Sequence, residues 1–125
     1  MNPKGRRVGD CSTRALAKTL SIDYDTALEE QLKQSLKHYY GITDKETIDY
    51  VMQDYGYVKV KQPRKSNGKK YTVAELDEIL TDKQMQEGVL VKIAHHFTTI
   101  KDGTLYDIWN CGYKTVGNYW IYKGK

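Results

Sequence analysis

One thiol and a pair of histidines are the residues of this chain best placed to do covalent chemistry. Cys11 stands in "VGDCSTRALAKTL", directly after Gly9-Asp10 and before Ser12-Thr13. These neighbours are turn and capping types, so the thiol falls at the mouth of a helix. There the free backbone N–H groups and the positive end of the helix dipole favour a thiolate. A thiolate nucleophile needs an imidazole as base and proton carrier. The chain has three histidines. His38 lies near the end of an amphipathic segment beside Lys37 and Tyr39, where a solvated side chain is the ordinary reading. His95 and His96 open a hairpin.

The hairpin register chooses between those two. Asp102-Gly103, set between alternating residues, reads as a two-residue turn. It pairs Lys101 with Thr104, then Ile100–Leu105, Thr99–Tyr106, Thr98–Asp107, Phe97–Ile108 and His96–Trp109. Facing residues share a side of the sheet, and successive residues alternate sides. His96, Thr98, Asp107 and Trp109 therefore share one face, with Asp107 a diagonal neighbour of His96. A carboxylate there can accept from the ring and fix its tautomer. His95 falls on the other face, and a bulge in the hairpin would reverse the choice. A plain hydrogen-bonded His–Asp pair is the structural alternative to catalysis. Arg14, one turn beyond Cys11, either holds Asp10 in a structural pair or favours the thiolate.

Other chemistries find less support. Cys11 and Cys111 are the two cysteines, and neither belongs to a CxxC pair. Adjacent histidines lack the i, i+4 spacing of a helical metal pair, so neither a metal nor a cofactor is expected. No apolar run approaches the ~20 residues of a membrane span. The basic first residues lack the apolar core of a secretory signal. The expectation is one soluble, cytoplasmic domain over residues 1–125, with no membrane partner. Net charge is +4, too little to imply nucleic acid by itself. The basic residues Lys59, Lys61, Arg64, Lys65, Lys69 and Lys70 do cluster. They read as a solvated loop or as a weak contact to nucleic acid or an acidic partner.

The elements that must position these residues are helices first and strands after. Helix one covers about Cys11 to Leu20. Helix two starts near Asp23 or Asp25, carries Leu28, Leu32, Leu36 and Tyr39 as its apolar stripe, and ends at Gly41. Helix three starts near Thr43 or Asp44, presents Ile48, Val51, Met52 and Tyr55, and stops at Gly56. "YVKV" is a strand, followed by a Lys/Gly/Pro-rich loop. Thr72-Val73-Ala74-Glu75 is a capping box opening a short helix through Leu80, with Val73, Leu76 and Ile79 inward. "VLVKIA" reads as a central strand, "HFTTI" and "LYDIW" as the hairpin, and "YWIYK" as the last strand. The helical part spans about 11–80 and the sheet part 57–60 and 88–123. This order gives an α+β domain with N-terminal helices packed on a small antiparallel sheet.

With "GDCSTRAL", "TVAEL", "HHFTTIKDGTLYDIWN" and "VGNYW" in place, the sequence resembles the papain-like cysteine peptidase superfamily. The resemblance is to its small phage and prophage members and, more distantly, to C39-type bacteriocin-processing peptidases. It implies a papain-like fold in which Cys11 is nucleophile, His96 general base and acid, and Asp107 the orienting carboxylate. Trp109 would shield the His–Asp pair. It implies cleavage of a peptide, isopeptide or related amide through a thioacyl-enzyme, in the host cytoplasm for a phage protein. One departure from the family pattern concerns the oxyanion donor. The family commonly places a Gln shortly before the cysteine, whereas "NPKGRRVG" has none and Asn2 is its only amide. The Cys11 backbone N–H remains as a donor. The missing Gln and the eleven tyrosines support an alternative, a non-catalytic binding module on the same fold that blocks a host protein or contacts nucleic acid.

Overall fold

The computed structural model describes residues 11–94, 96–102, 104–106 and 114–124. Helices α1 (Cys11–Leu20), α2 (Tyr24–His38) and α3 (Lys45–Asp54) come first. Strand β1 (Tyr57–Val60), a 3-10 helix (Val73–Glu78) and helix α4 (Asp82–Glu87) follow. The chain then forms β2 (Val89–Ile93), β3 (His96–Lys101), β4 (Thr104–Tyr106) and β5 (Asn118–Tyr122). The five strands make one sheet in the order β1-β5-β2-β3-β4, antiparallel at every pairing. The fold is α+β.

Each sheet face carries its own core, because side chains alternate along every strand. Leu90, Phe97, Trp120 and Tyr57 point to the helix side and pack with Leu16, Ile48, Val51 and Met52 of α1 and α3. Val91, Ile93, Ile100, Tyr119 and Ile121 point the other way, against Val73 and Leu76 of the 3-10 helix. The middle strand β2 is covered on both sides. That is why "VLVKI" reads as a continuous apolar run interrupted only by Lys92. The hairpin has the expected register as far as it is described, with Lys101–Thr104, Ile100–Leu105 and Thr99–Tyr106 facing. The continuation through Asp107, Ile108 and Trp109 lies outside the described residues.

Four local readings of the sequence need correction. On α2 the buried residues are Ala27, Gln31 and Gln34, while the leucine stripe faces outward. Gln31 is fully buried because every polar atom of its side chain is used. Thr13 Oγ1 donates to its Oε1 at 2.6 Å, and its Nε2 donates to Ser12 Oγ and to the Ile42 carbonyl, both at 3.2 Å. A satisfied amide lets a polar face seat a helix. Second, Gly41 does not cap α2. Tyr39 takes the left-handed conformation, with φ 64°, and its N–H donates to the Ser35 carbonyl. Gly41 belongs to the approach to α3, its N–H donating to Asp44 Oδ2 at 2.8 Å.

Third, Ile79 is turned outward and Leu80 is buried instead. The segment is a 3-10 helix ending at Glu78, and its tighter winding rotates the following residues away from the α-helical period. Fourth, α4 is an extra helix. Its signal was present as Thr81-x-x-Gln84, a reciprocal capping box. The Gln84 N–H donates to Thr81 Oγ1 and the Thr81 N–H to Gln84 Oε1, at 3.1 and 2.9 Å. At the end of α4, Gly88 is required. Its φ is +100°, and a Cβ there would stand 3.0 Å from the Thr19 carbonyl oxygen of α1.

Candidate functional site

Cys11 is the first residue of α1 and carries a free, half-buried thiol. Its position in the fold follows from how α1 is pinned to β3. Thr99 Oγ1 donates to the Ala15 carbonyl at 3.0 Å. That uses its one proton, so the 2.9 Å contact between Thr19 and Thr99 is donated by Thr19. Further along, the Lys101 ammonium donates to the Lys18 carbonyl at 3.3 Å and to Ser21 Oγ. Moving from Lys101 back to Thr99 on β3 therefore moves from Ser21 back towards Ala15 on α1. The two elements run side by side in the same direction. Cys11, about 6 Å along the axis before Ala15, lies towards the end where β3 begins.

That end holds the turn from β2 into β3, where Lys92 faces Phe97 and Ile93 faces His96. Lys92 is on the helix side. Its ammonium lies 5.3 Å from the Phe97 ring centroid and donates to the Ile93 carbonyl at 2.6 Å. Burial pushes the Lys92 ammonium below its ordinary range, Cys11 pulls it back up, and Lys45 pushes it further down. The Cys11 sulfur is thus within electrostatic reach of a partly desolvated cation. Asn118, opposite Lys92 on β5, has its amide occupied. It donates to the Val60 carbonyl at 3.1 Å and accepts from Lys45 at 3.4 Å.

His96 opens β3 and is half-buried. Its register position alternates with Phe97 and Thr99, which face α1, and it stands across from Ile93, a member of the opposite core. His95 lies outside the described residues. Asn2, Asp107 and Trp109 also lie outside them. Arg14 is described and half-buried. It lines an open groove of about 530 Å³ with Lys18, Tyr24 and Lys101, towards the C-terminal end of α1.

The basic stretch after β1 is partly committed within the molecule. Lys65 and Glu75 form a 2.5 Å ion pair. It holds the Glu75 carboxyl down to about 2, helped by the Thr72 N–H. Arg64 donates to the Gly68 carbonyl at 3.1 Å, and Lys59 stands 3.9 Å from Asp49. Among the described residues no group of three or more His, Cys, Asp and Glu side chains could hold a metal ion. None of the described helices is long and apolar enough to cross a membrane. Comparison with family models, with curated proteins and with solved structures gives no match.

Proposed function

We propose that this protein is a cysteine hydrolase of papain-like arrangement acting in the cytoplasm on a peptide, isopeptide or related amide. The observation that carries the reading is the setting of Cys11. A free thiol begins a helix whose axis is fixed against β3, within electrostatic reach of the half-buried Lys92 ammonium. A helix start with a cation in reach is the kind of setting in which thiol nucleophiles act.

In this mechanism the Cys11 thiolate attacks the carbonyl carbon and the oxygen takes the negative charge. The Cys11 N–H, free at the helix start, donates to that oxyanion, with Asn2 the candidate second donor. Collapse breaks the C–N bond, and the His96 imidazolium gives its proton to the leaving amine. Water then attacks the thioester while His96 takes its proton, releasing the acid and restoring the thiolate. Asp107 orients the imidazole and Trp109 shields it. The mechanism requires the His96 ring, at the very end of its strand, to reach the α1 side. His95 and His96 are therefore tested separately.

The test is the rate of iodoacetamide labelling at Cys11, followed by peptide mass mapping because Cys111 also reacts. At mildly acidic pH, native Cys11 should label at least about tenfold faster than Cys11 in the urea-unfolded chain. His96→Ala should abolish that excess and His95→Ala should spare it. Loss in His95→Ala alone moves the base to His95. A native rate no faster than the unfolded one, indifferent to both histidines, overturns the hydrolase.

A further inference from the structure

Helix α2 has two faces, and among the described residues one of them is used for packing. Gln31 seats it on its neighbours through buried hydrogen bonds and Gln34 through a partly buried one to Asp54. The other face carries Leu28, Leu32 and Leu36 at steps of four, a single stripe along the helix, with Tyr39 at its C-cap. Leu28 is partly buried, while Leu32 is 40% exposed, Leu36 77% and Tyr39 93%. Tyr39 holds its exposed position in a left-handed conformation at the helix end. Scattered surface leucines are ordinary, but a continuous apolar stripe on a surface helix marks an interaction site.

The charges beside the stripe say what fits it. The first half of α2 carries Asp25, Glu29 and Glu30, and the second half Lys33, Lys37 and His38. A helix that is acidic first and basic last is complementary to its own reverse, and antiparallel alignment also opposes the two helix dipoles favourably. Glu29 and Lys37 are both exposed and flank the same side of the stripe. Lys33 stands between them, already paired with Glu30 at 3.3 Å. With a twofold axis passing by Lys33, Glu29 of one copy meets Lys37 of the other, twice. The same axis interleaves the leucines of the two copies, with Leu28, Leu32 and Leu36 each falling in a gap between two partner side chains and Tyr39 at the ends of the seam.

We infer that the exposed face of α2 is a homodimer surface, on which a second copy of this chain docks its own α2 antiparallel. Four side chains per copy bury less than the ~800 Å² per partner of a standard interface. The dimer is consequently weak and concentration-dependent, with a dissociation constant of roughly 10–1000 µM.

Sedimentation equilibrium of the full chain from micromolar to millimolar concentration tests it. The average mass should rise from 14.5 kDa towards twice that value. Leu36→Lys should weaken association at least about tenfold. Glu29→Lys and Lys37→Glu should each weaken it severalfold, and the double variant should restore it, because the two charges change places. All three positions are exposed, so circular dichroism of each variant should match the parent. A chain that stays monomeric throughout overturns the proposal. So does a dimer indifferent to Leu36→Lys, or one that the double reversal does not rescue.

Discussion

Gln31 shows how one side chain can replace a hydrophobic seam. It is fully buried, and its three hydrogen bonds tie α2 to α1 and to the carbonyl of Ile42. Gln31→Ala would leave Thr13, Ser12 and that carbonyl short of partners around a cavity. The expected cost is about 3 kcal/mol of unfolding free energy, read from urea denaturation. Gln31→Leu should recover little of it, because the unmet polar partners remain. Tyr57 offers a second residue-level test. Burial, followed by the charge of Glu87, pushes its phenol up to about 12 from 10.0, and its hydroxyl donates to the Glu87 carbonyl at 3.0 Å. The unfolded chain ionises this phenol first. The stabilisation is therefore complete below about pH 10 and is lost as pH rises through about 12, amounting to about 2 kcal/mol. Tyr57→Phe should show a shallower loss of stability over that range.

At the scale of the element, α2 ends where a tyrosine does a glycine's work. Tyr39 has φ 64° and is almost fully exposed, so little packing offsets the strain of a Cβ in the left-handed region. Tyr39→Gly should raise the stability of the monomer by about 1 kcal/mol. The thermal midpoint of dilute protein reads this directly. The same substitution removes one end of the apolar stripe and should weaken self-association. The opposite signs of the two effects separate a folding role for Tyr39 from a docking role.

For the whole molecule, the decisive arrangement is one sheet with a core on each face. Trp120 is the largest side chain fully buried on the helix side. Its indole N–H reaches across to Asp49 Oδ1 of α3 at 2.9 Å, joining sheet and helices by packing and by a charge-assisted hydrogen bond. Trp120→Phe loses both indole volume and donor, leaving Asp49 without it, and should cost about 2–3 kcal/mol in denaturant unfolding. Because the helices that hold Cys11 in place rest on this side, iodoacetamide labelling of Cys11 should lose its native excess at lower urea in this variant.

Much of this was legible locally. The α1 limits, the β1 strand, the central β2, the Asp102-Gly103 register and the Thr72 capping box follow from short-range rules: capping, turn chemistry and side-chain period. Cys11 at a helix start needed only its neighbours. What the chain could not declare locally was which face of a helix is the inside. The stripe Leu28, Leu32, Leu36 and Tyr39 has the ideal period for burial. It lies outside because Ser12, Thr13 and the Ile42 carbonyl, distant in sequence, satisfy Gln31 and make a polar face the better one to bury. The same holds at the site. Alternation along β3 is a local property, but which side of the sheet α1 occupies is decided by Thr99 bonding Ala15 and Thr19, contacts spanning some eighty positions. Local sequence sets conformation through the backbone. Facing is set by partners that only the folded chain brings together.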